Sequence, residues 1–585
     1  MASMGESGSR KALYLALMVP LLLGVAFAQD RLNTRRGELN VSFLEPLPNA
    51  PPLLKFASET LGGFRGVLST VLWMRANNLQ MEGKVYEMMQ LSEWITKLQP
   101  HMPRVWTDRA WNLGYNISVK HTDIEERWKW VMAGISLLRD EAIQFNPHEP
   151  EIYHELAWHF QHKMGHDADA AHRHYKRLWI NEMSTNLWPD LKSCMLSEGK
   201  VDFKTLTNPQ TSADKQRVRY VVEHYKLDPR RMKQVDQEYG TVADKDDNGN
   251  LTKRYVGLEW RLPETHAIYW AWIGEQKCRE NADRRDILKK LRRLIFQSMN
   301  LARERGRIIV NPYVPDAEGL YLGGKNYDLG PRLEFIPMVD KAFREQLTWA
   351  NKAMSDFQRK YEEAERMAKK TGNRFVPPTM DVGSDTMETF RNAHHNFLRQ
   401  SIRDLYMHNH IPEAMVHFKA LCAEYPDKMH HYVGYDVQTK TMDFNTFALD
   451  MIDEEMRTGG RGVTASILSG FLFKAYYYLA LGEDDRGRGH VLAAQRLYDR
   501  YSTRKTDAEV GRVDLPAFTA LHDQALKDWL TNADKMMPTM SAQLRKRLGM
   551  KEGAMPNPGL PNIMNPLRKP KPGEKPELVP GAGNG

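Results

Sequence analysis

The sequence predicts an all-α chain of stacked antiparallel helical hairpins, an α-solenoid with an N-terminal signal or anchor helix and one small irregular insertion. Three observations carry that expectation. Apolar residues recur at spacings of three and four through most of the chain from Leu61 onward, the mark of helices with one buried face. Pro and Gly fall where those periodic runs stop. Only three Cys (Cys194, Cys278 and Cys422) occur in 585 residues, too few for a disulfide framework and without metal-site spacing, so helix-on-helix burial has to hold the fold.

The first element is the apolar run Ala12 to Ala28, preceded by Arg10 and Lys11. As a helix it spans about 25 Å, at the short end for a bilayer. Ala26-Phe27-Ala28 has the small-x-small form that a signal peptidase accepts. Residues 1–30 are therefore expected to be a cleaved signal peptide or an uncleaved membrane anchor, with membrane contact through residues 12–28 in the second case. Either way the positive flank sends the rest outward, to the periplasm or to the outer face of the cytoplasmic membrane. Residues 31–60 read as a linker.

Helical pairs occupy 61–190. Phe64 to Gln80 carries Val67, Leu68, Val71, Leu72, Met74 and Leu79; Gly83 breaks the run, and Tyr86 to Leu98 follows with Met89, Leu91, Trp94, Ile95 and Leu98. Next come two similar junctions. Pro100 leads to Trp106 and then Ala110, and Pro147 leads to Tyr153 and then Ala157. Pro ends one helix, an aromatic fills the gap between hairpins, and Ala lets two backbones approach. Nine of the 14 Trp fall between Trp73 and Trp188, which fits packing between helices better than an aromatic ligand platform.

This spacing resembles the tetratricopeptide repeat (TPR). His410 to Asp427 is similar to the second helix of that repeat, with Ala414, Phe418 and Pro426 at its small, aromatic and terminating positions. The resemblance covers Leu61 to about Asp190 and Ala393 to about Thr503, while a 34-residue period is absent from Leu191 to Asp385. It implies a curved helical array with a broad surface for a protein or peptide partner.

The remaining elements are assigned in order. Residues 191–260 read as an irregular polar connection. Residues 261–385 hold a helical pair, Arg261 to Lys277 and Asp286 to Glu304, then a loop excursion at 302–337 and a long helix ending at Gly372. Residues 386–555 hold the C-terminal TPR-like repeats, including a pair at Ala465 to Gly482 and Gly489 to Thr503. Residues 556–585 have eight Pro, five Gly and no aromatic, too little apolar surface to offset chain entropy, and are expected to be a disordered tail.

Two stretches could hold metal. Asp244, Asp246 and Asn248 stand at the first, third and fifth places of an EF-hand-like loop with Gly249 at the sixth, but Tyr255 occupies the place of the acidic twelfth ligand, so a polar Asx- and Gly-rich turn competes with calcium. Six of the 20 His lie between His154 and His174. Helical spacing would put His159, His162 and His166 along one face, a potential Zn, Cu or Ni site, against the simpler reading of a solvated polar face or a pH-sensitive contact surface. Cys422 reads as a buried structural thiol.

The chain has no G-x-G-x-x-G before a helix, no P-loop and no G-x-S-x-G, so no catalytic residue is assigned and no cofactor is expected. A net charge of +8 over this length calls for no nucleic acid. The expected function is a non-enzymatic protein–protein interaction scaffold of the cell envelope. The alternative is an envelope enzyme or glycan-binding protein on a helical toroid.

Overall fold

The computed structural model describes residues 65–190, 193–194, 197, 199–245, 251–279, 285–310, 327–371, 374–377, 384–432, 434–439, 441–503, 515–551 and 553–555, with the single positions Gly24, Ala28, Arg31 and Arg35. The expected signal or anchor run, the linker and the Pro- and Gly-rich tail lie otherwise outside the described residues. No described helix is long and apolar enough to cross a membrane. The protein is mostly helical, with two small antiparallel sheets among the described residues. It divides into two compact units: residues 1–175 with 269–294, and residues 176–268 with 295–585.

The first unit opens with α1 (Arg65–Met81) packed on α2 (Val85–Leu98). Their turn is set by Gly83, whose φ of +74° is a left-handed conformation that favours glycine. Then come α3 (Pro103–Trp111), α4 (Ile124–Ser136) and α5 (Pro150–Trp158), and each runs on into a π-helical stretch, at Asn112–Ile117, Leu137–Ala142 and His159–Gly165.

α3 and α5 start in the same way. Pro100-His-Met-Pro103 precedes one and Pro147-His-Glu-Pro150 the other, and in each the second Pro occupies the first turn, where a missing N–H costs nothing. The Trp106 indole donates to the Pro100 carbonyl at 2.7 Å, and the Tyr153 hydroxyl donates to the Pro147 carbonyl at 2.9 Å. Ala110 and Ala157 are fully buried on the following turn. The Pro-to-aromatic spacing thus has a physical origin: the aromatic fills the junction and its polar tip satisfies the carbonyl left where the preceding helix ends.

In chain order follow α6 (His172–Asn186), α7 (Phe203–Thr207), α8 (Ser212–Tyr225) and α9 (Pro229–Tyr239). A β1 (Thr241–Lys245) and β2 (Leu251–Tyr255) pair comes next, with Thr241 opposite Tyr255 and Lys245 opposite Leu251. The stretch 191–260, expected as an irregular connection, thus holds α7, α8, α9 and the β1–β2 pair among the described residues. Their caps are polar: Asp202, Thr211 and Asp228 each accept a first-turn backbone N–H. α10 (Pro263–Arg279) and α11 (Arg285–Arg305) form the expected pair. The excursion holds β3 (Arg307–Val310) and β4 (Tyr327–Gly330) in antiparallel register, and its middle, 311–326, lies outside the described residues.

The rest of the second unit is α12 (Ile336–Thr371), α13 (Ser384–Met407), α14 (Ile411–Glu424), α15 (Phe444–Leu481), α16 (Asp484–Thr503), α17 (Phe518–Met536) and α18 (Pro538–Arg547). α15 is its axis, packed by α13, α16, α17 and α18. The helix expected at Ala465 to Gly482 is only the C-terminal half of α15, a single helix of 38 residues. α15 ends at Gly482, whose φ of +88° turns the chain into α16. On α14, Ala414 and Phe418 are buried where the repeat-like spacing put them.

Candidate functional site

In the first unit the chemistry-bearing side chains concentrate where the π-helical stretches of α3 and α5 meet. His159, the first residue of its π stretch, is fully buried. Its ring sits in a notch left by two glycines: a Cβ on Gly114 would lie 2.7 Å from His159 Nε2, and one on Gly134 would lie 3.5 Å from it. The Nδ1 lies 2.9 Å from the Glu155 carbonyl and the Nε2 lies 3.3 Å from the Ala110 carbonyl. Burial outweighs both carbonyls and holds the imidazole down at about 4, so it is neutral and donates to only one of them.

Tyr115 lies beside it. Its ring stacks on Trp111 at 4.1 Å, meets the His159 ring edge-on at 5.3 Å, and its hydroxyl lies 3.2 Å from His162 Nδ1. His162 stacks on Trp158 at 4.6 Å. Burial raises Tyr115 and lowers His162, so neither carries charge near neutral pH. Glu155 completes this group. Burial, with the Asp108 carboxylate adding to it, pushes Glu155 up to about 7. Its Oε1 lies 3.4 Å from His159 Nδ1 and makes no hydrogen bond among the described residues.

One turn further on, Asp169 gathers two cations. Arg127 donates to its Oδ1 at 2.7 Å, the Ala171 backbone N–H to the same oxygen at 2.8 Å, and the Lys163 ammonium lies 2.6 Å from Oδ2. Burial raises the Asp169 carboxyl, but the Lys163 and Ala171 bonds and the Arg127 charge outweigh it and hold it below the usual carboxylate range. Both Lys163 and Asp169 are almost wholly buried, so this is a dry ion cluster that fixes the end of the π stretch.

The sequence-based metal candidates separate in this structure. His159 is buried against Gly114 and Gly134, His162 faces Tyr115, and His166 is exposed beside Asp167 at 3.0 Å. His162 and His166 still stack, 5.9 Å between ring centroids, but His159 turns into the notch beside the two glycines, so the three imidazoles do not converge. Nor are these histidines a solvated face, since His159 is fully buried and His162 partly so. Asp244 lies on β1 opposite Thr252, whereas Asp246 and Asn248 are outside the described residues. Among the described residues no group of three His, Cys, Asp or Glu is placed to hold a metal ion.

Sequence reasoning missed Tyr115, Glu155, Lys163 and Asp169. The available signal was the second Pro of each Pro-His-x-Pro junction. It aligns α3 with α5 and sets Tyr115 against His162, which lie 47 residues apart. Cys194 is buried with its Sγ 3.5 Å from an Arg261 nitrogen, and Cys422 is partly buried on α14. Burial raises both thiols, Cys194 against the opposing pull of Arg261, which does not favour a nucleophilic role for either.

A different surface marks α1. Val67, Val71, Met74 and Met81 follow one another at spacings of four, three and seven on α1, and Tyr86 is exposed on α2; all five are more than half exposed. The helix has no acidic residue. In comparison with known proteins, no family model matches the chain and no curated protein matches it.

Proposed function

We propose that the chain is a non-enzymatic protein–protein interaction scaffold of the cell envelope, built from TPR-like helical hairpins, and that its first hairpin presents a docking face. The observation that carries this reading is the exposed apolar row on α1. Isolated exposed apolar residues are ordinary, but four at helical spacing along one side of α1 make a row of the kind that partners cover. The spacing is that of a helix seam, so the fitting partner is an amphipathic helix. With Arg75 exposed on α1 and no acid present, acidic flanks on that partner would match.

The likeness of the α3 and α5 junctions supports the repeat half of the reading. Two hairpins that begin with the same Pro-His-x-Pro device and the same aromatic-to-carbonyl bond are units of one stacking plan. Placement outside the cytoplasmic membrane rests on Arg10-Lys11, the apolar run Ala12 to Ala28 and Ala26-Phe27-Ala28.

The test uses the full chain in its own cells with a photo-crosslinking residue in place of Val67, also exposed on the row. A single discrete protein adduct is expected, and Val71→Glu with Met74→Glu should abolish its capture while the circular dichroism stays unchanged. Absence of a discrete adduct, or an adduct indifferent to the two glutamates, overturns the proposal. Fractionation with N-terminal sequencing checks the location: a terminus at Gln29 means cleavage, an intact membrane-bound terminus means an anchor, and wholly cytosolic protein refutes both.

A further inference from the structure

In the second unit, a groove of about 380 Å³ open to solvent is lined by Val201, Asp202, Phe203, Lys233, Gln237, Thr241 and Tyr255. Its size falls within the range of small-molecule sites. Three elements frame it: the start of α7, the outer face of α9, and the paired ends of β1 and β2, where Thr241 faces Tyr255.

The groove is built from behind. Tyr255 exposes about half its surface, yet its hydroxyl is fixed by a short bond to the Asp236 carboxylate. Asp236 is buried and takes two further donors, the Leu258 backbone N–H and the Trp260 indole, both at 2.8 Å. Arg332 donates to the Gly257 and Val256 carbonyls at 2.8 and 3.1 Å, tying down the chain just after Tyr255. Phe203, the aromatic on the other side, is set edge-on against Trp260 at 6.1 Å. Two aromatic side chains are therefore held in place before any ligand arrives, which lowers the entropic cost of binding.

The polar groups limit the ligand. Asp202 and Lys233 cancel in charge, so the groove favours neither anion nor cation. The Lys233 ammonium and the Gln237 amide make no side-chain hydrogen bond among the described residues, which leaves donors and an acceptor available at the rim. A flat, rigid, half-exposed phenol ring flanked by an amide, an ammonium, a hydroxyl and a carboxylate, with no net charge, suits a neutral ring that has one apolar face and a hydroxyl-rich edge.

We infer that this groove is a saccharide-binding site, taking one pyranose ring of a neutral oligosaccharide with its apolar face on Tyr255 and its hydroxyls toward Gln237 and Lys233. The site stands apart from the α1 docking face in residues and in unit, so it does not rest on the scaffold reading.

The experiment is saturation-transfer NMR and titration calorimetry on the full chain with chitotriose, cellotriose and maltotriose, each up to millimolar concentration. At least one should bind. Tyr255→Ala should abolish binding. Lys233→Ala with Gln237→Ala, two exposed positions on α9 whose loss leaves the core intact, should weaken it roughly tenfold, as expected for the loss of two hydrogen bonds. Tyr255→Phe keeps the ring and should retain more binding than Tyr255→Ala. If none of the three sugars binds, or if the α9 double variant with native circular dichroism binds as well as the parent chain, the inference fails.

Discussion

At Trp106 two requirements meet in one side chain. The indole is buried and stacked on Phe145 at 5.7 Å, and its N–H reaches the Pro100 carbonyl, which also accepts from Asn146 at 2.8 Å. Area and hydrogen bond can therefore be separated by substitution. Trp106→Phe and Tyr153→Phe should each cost about 1 kcal/mol, the net worth of the bond to the proline carbonyl together with a modest change in packing. Trp106→Ala and Tyr153→Ala should each cost roughly 3–5 kcal/mol by emptying the junction. Denaturant midpoints measure all four, and alanine variants that unfold at the wild-type midpoint would contradict the packing described. The His159 notch gives a second residue-scale test. An alanine at Gly114 would drive its Cβ to 2.7 Å from His159 Nε2 and 2.9 Å from Cδ2, where the ring has no room to retreat because Gly134 bounds the notch as well. Gly114→Ala should cost roughly 1–3 kcal/mol, the range for overpacking. Combining it with His159→Ala should recover part of that loss, so a double-mutant cycle should show a clear coupling, and strict additivity would mean the ring moves aside.

At the level of elements, the network around Asp236 decides whether the β1–β2 pair stays on α9. One carboxylate accepts from Tyr255 on β2, from the Leu258 backbone and from Trp260, so Asp236→Ala orphans three donors at once. The expected loss is on the order of 3 kcal/mol, and hydrogen exchange at Val242 and Arg254 should quicken before that of α10. Retained protection in the hairpin would place its anchor elsewhere. That hairpin also marks what could be read in advance. The Asp-, Asn- and Gly-rich stretch after Asp244 lies outside the described residues beyond Lys245, and its flanks, expected as part of an irregular connection, pair as strands. α2 was legible because period and terminators agree; α1 was legible as a helix, but its apolar residues fall on two faces, Leu72, Ala76 and Leu79 buried and Val67, Val71 and Met74 exposed. α8 and α9 were not assigned: both are mostly polar, and their few buried apolar side chains, Val221 and Tyr225 on α8 and Met232 and Val235 on α9, keep a helical spacing inside highly charged stretches. α15 was seen only in part: Gly459, Gly460 and Gly462 lie just before the assigned start at Ala465 and weaken a helical pattern there, whereas the helix continues through them. The π-helical stretches left no trace, since an altered step over six or seven residues shifts the phase of the pattern without changing its composition. The cluster of Tyr115, Glu155 and His159 depends on that phase, which is why the histidines were legible as a group but their partners were not.

For the whole molecule, buried titratable groups fix how stability varies with pH. His154, His159, His395 and His490 are each held down at about 4 by burial, against an ordinary value of 6.5. Folded, they stay neutral between those limits while the unfolded chain takes up protons, so their contribution is complete above pH 6.5 and is lost as pH falls toward 4. Each is worth on the order of 2 kcal/mol at full shift. Glu155 acts in the opposite sense: its carboxyl is up at about 7, against 4.5 when unfolded, so its contribution is complete below 4.5 and is lost as pH rises through 7. Lys474, pushed down to about 8 by burial, adds stability as pH climbs from there toward 10.5, because only the unfolded chain then still holds the proton. Four imidazoles outweigh one carboxyl, so the denaturation midpoint should rise from pH 4.5 to 6.5, change little between 7 and 8, and rise again above 8. The discriminating variant is Glu155→Gln, which removes the opposing group and leaves a neutral amide of similar shape. Its midpoint should climb more steeply between pH 5 and 7 than that of the parent chain, by about 1–2 kcal/mol over the interval, and the two curves should run parallel above pH 8. Parallel curves across the whole range would mean that Glu155 ionises as an exposed carboxylate does, and the close packing of Tyr115, Glu155 and His159 would have to be abandoned.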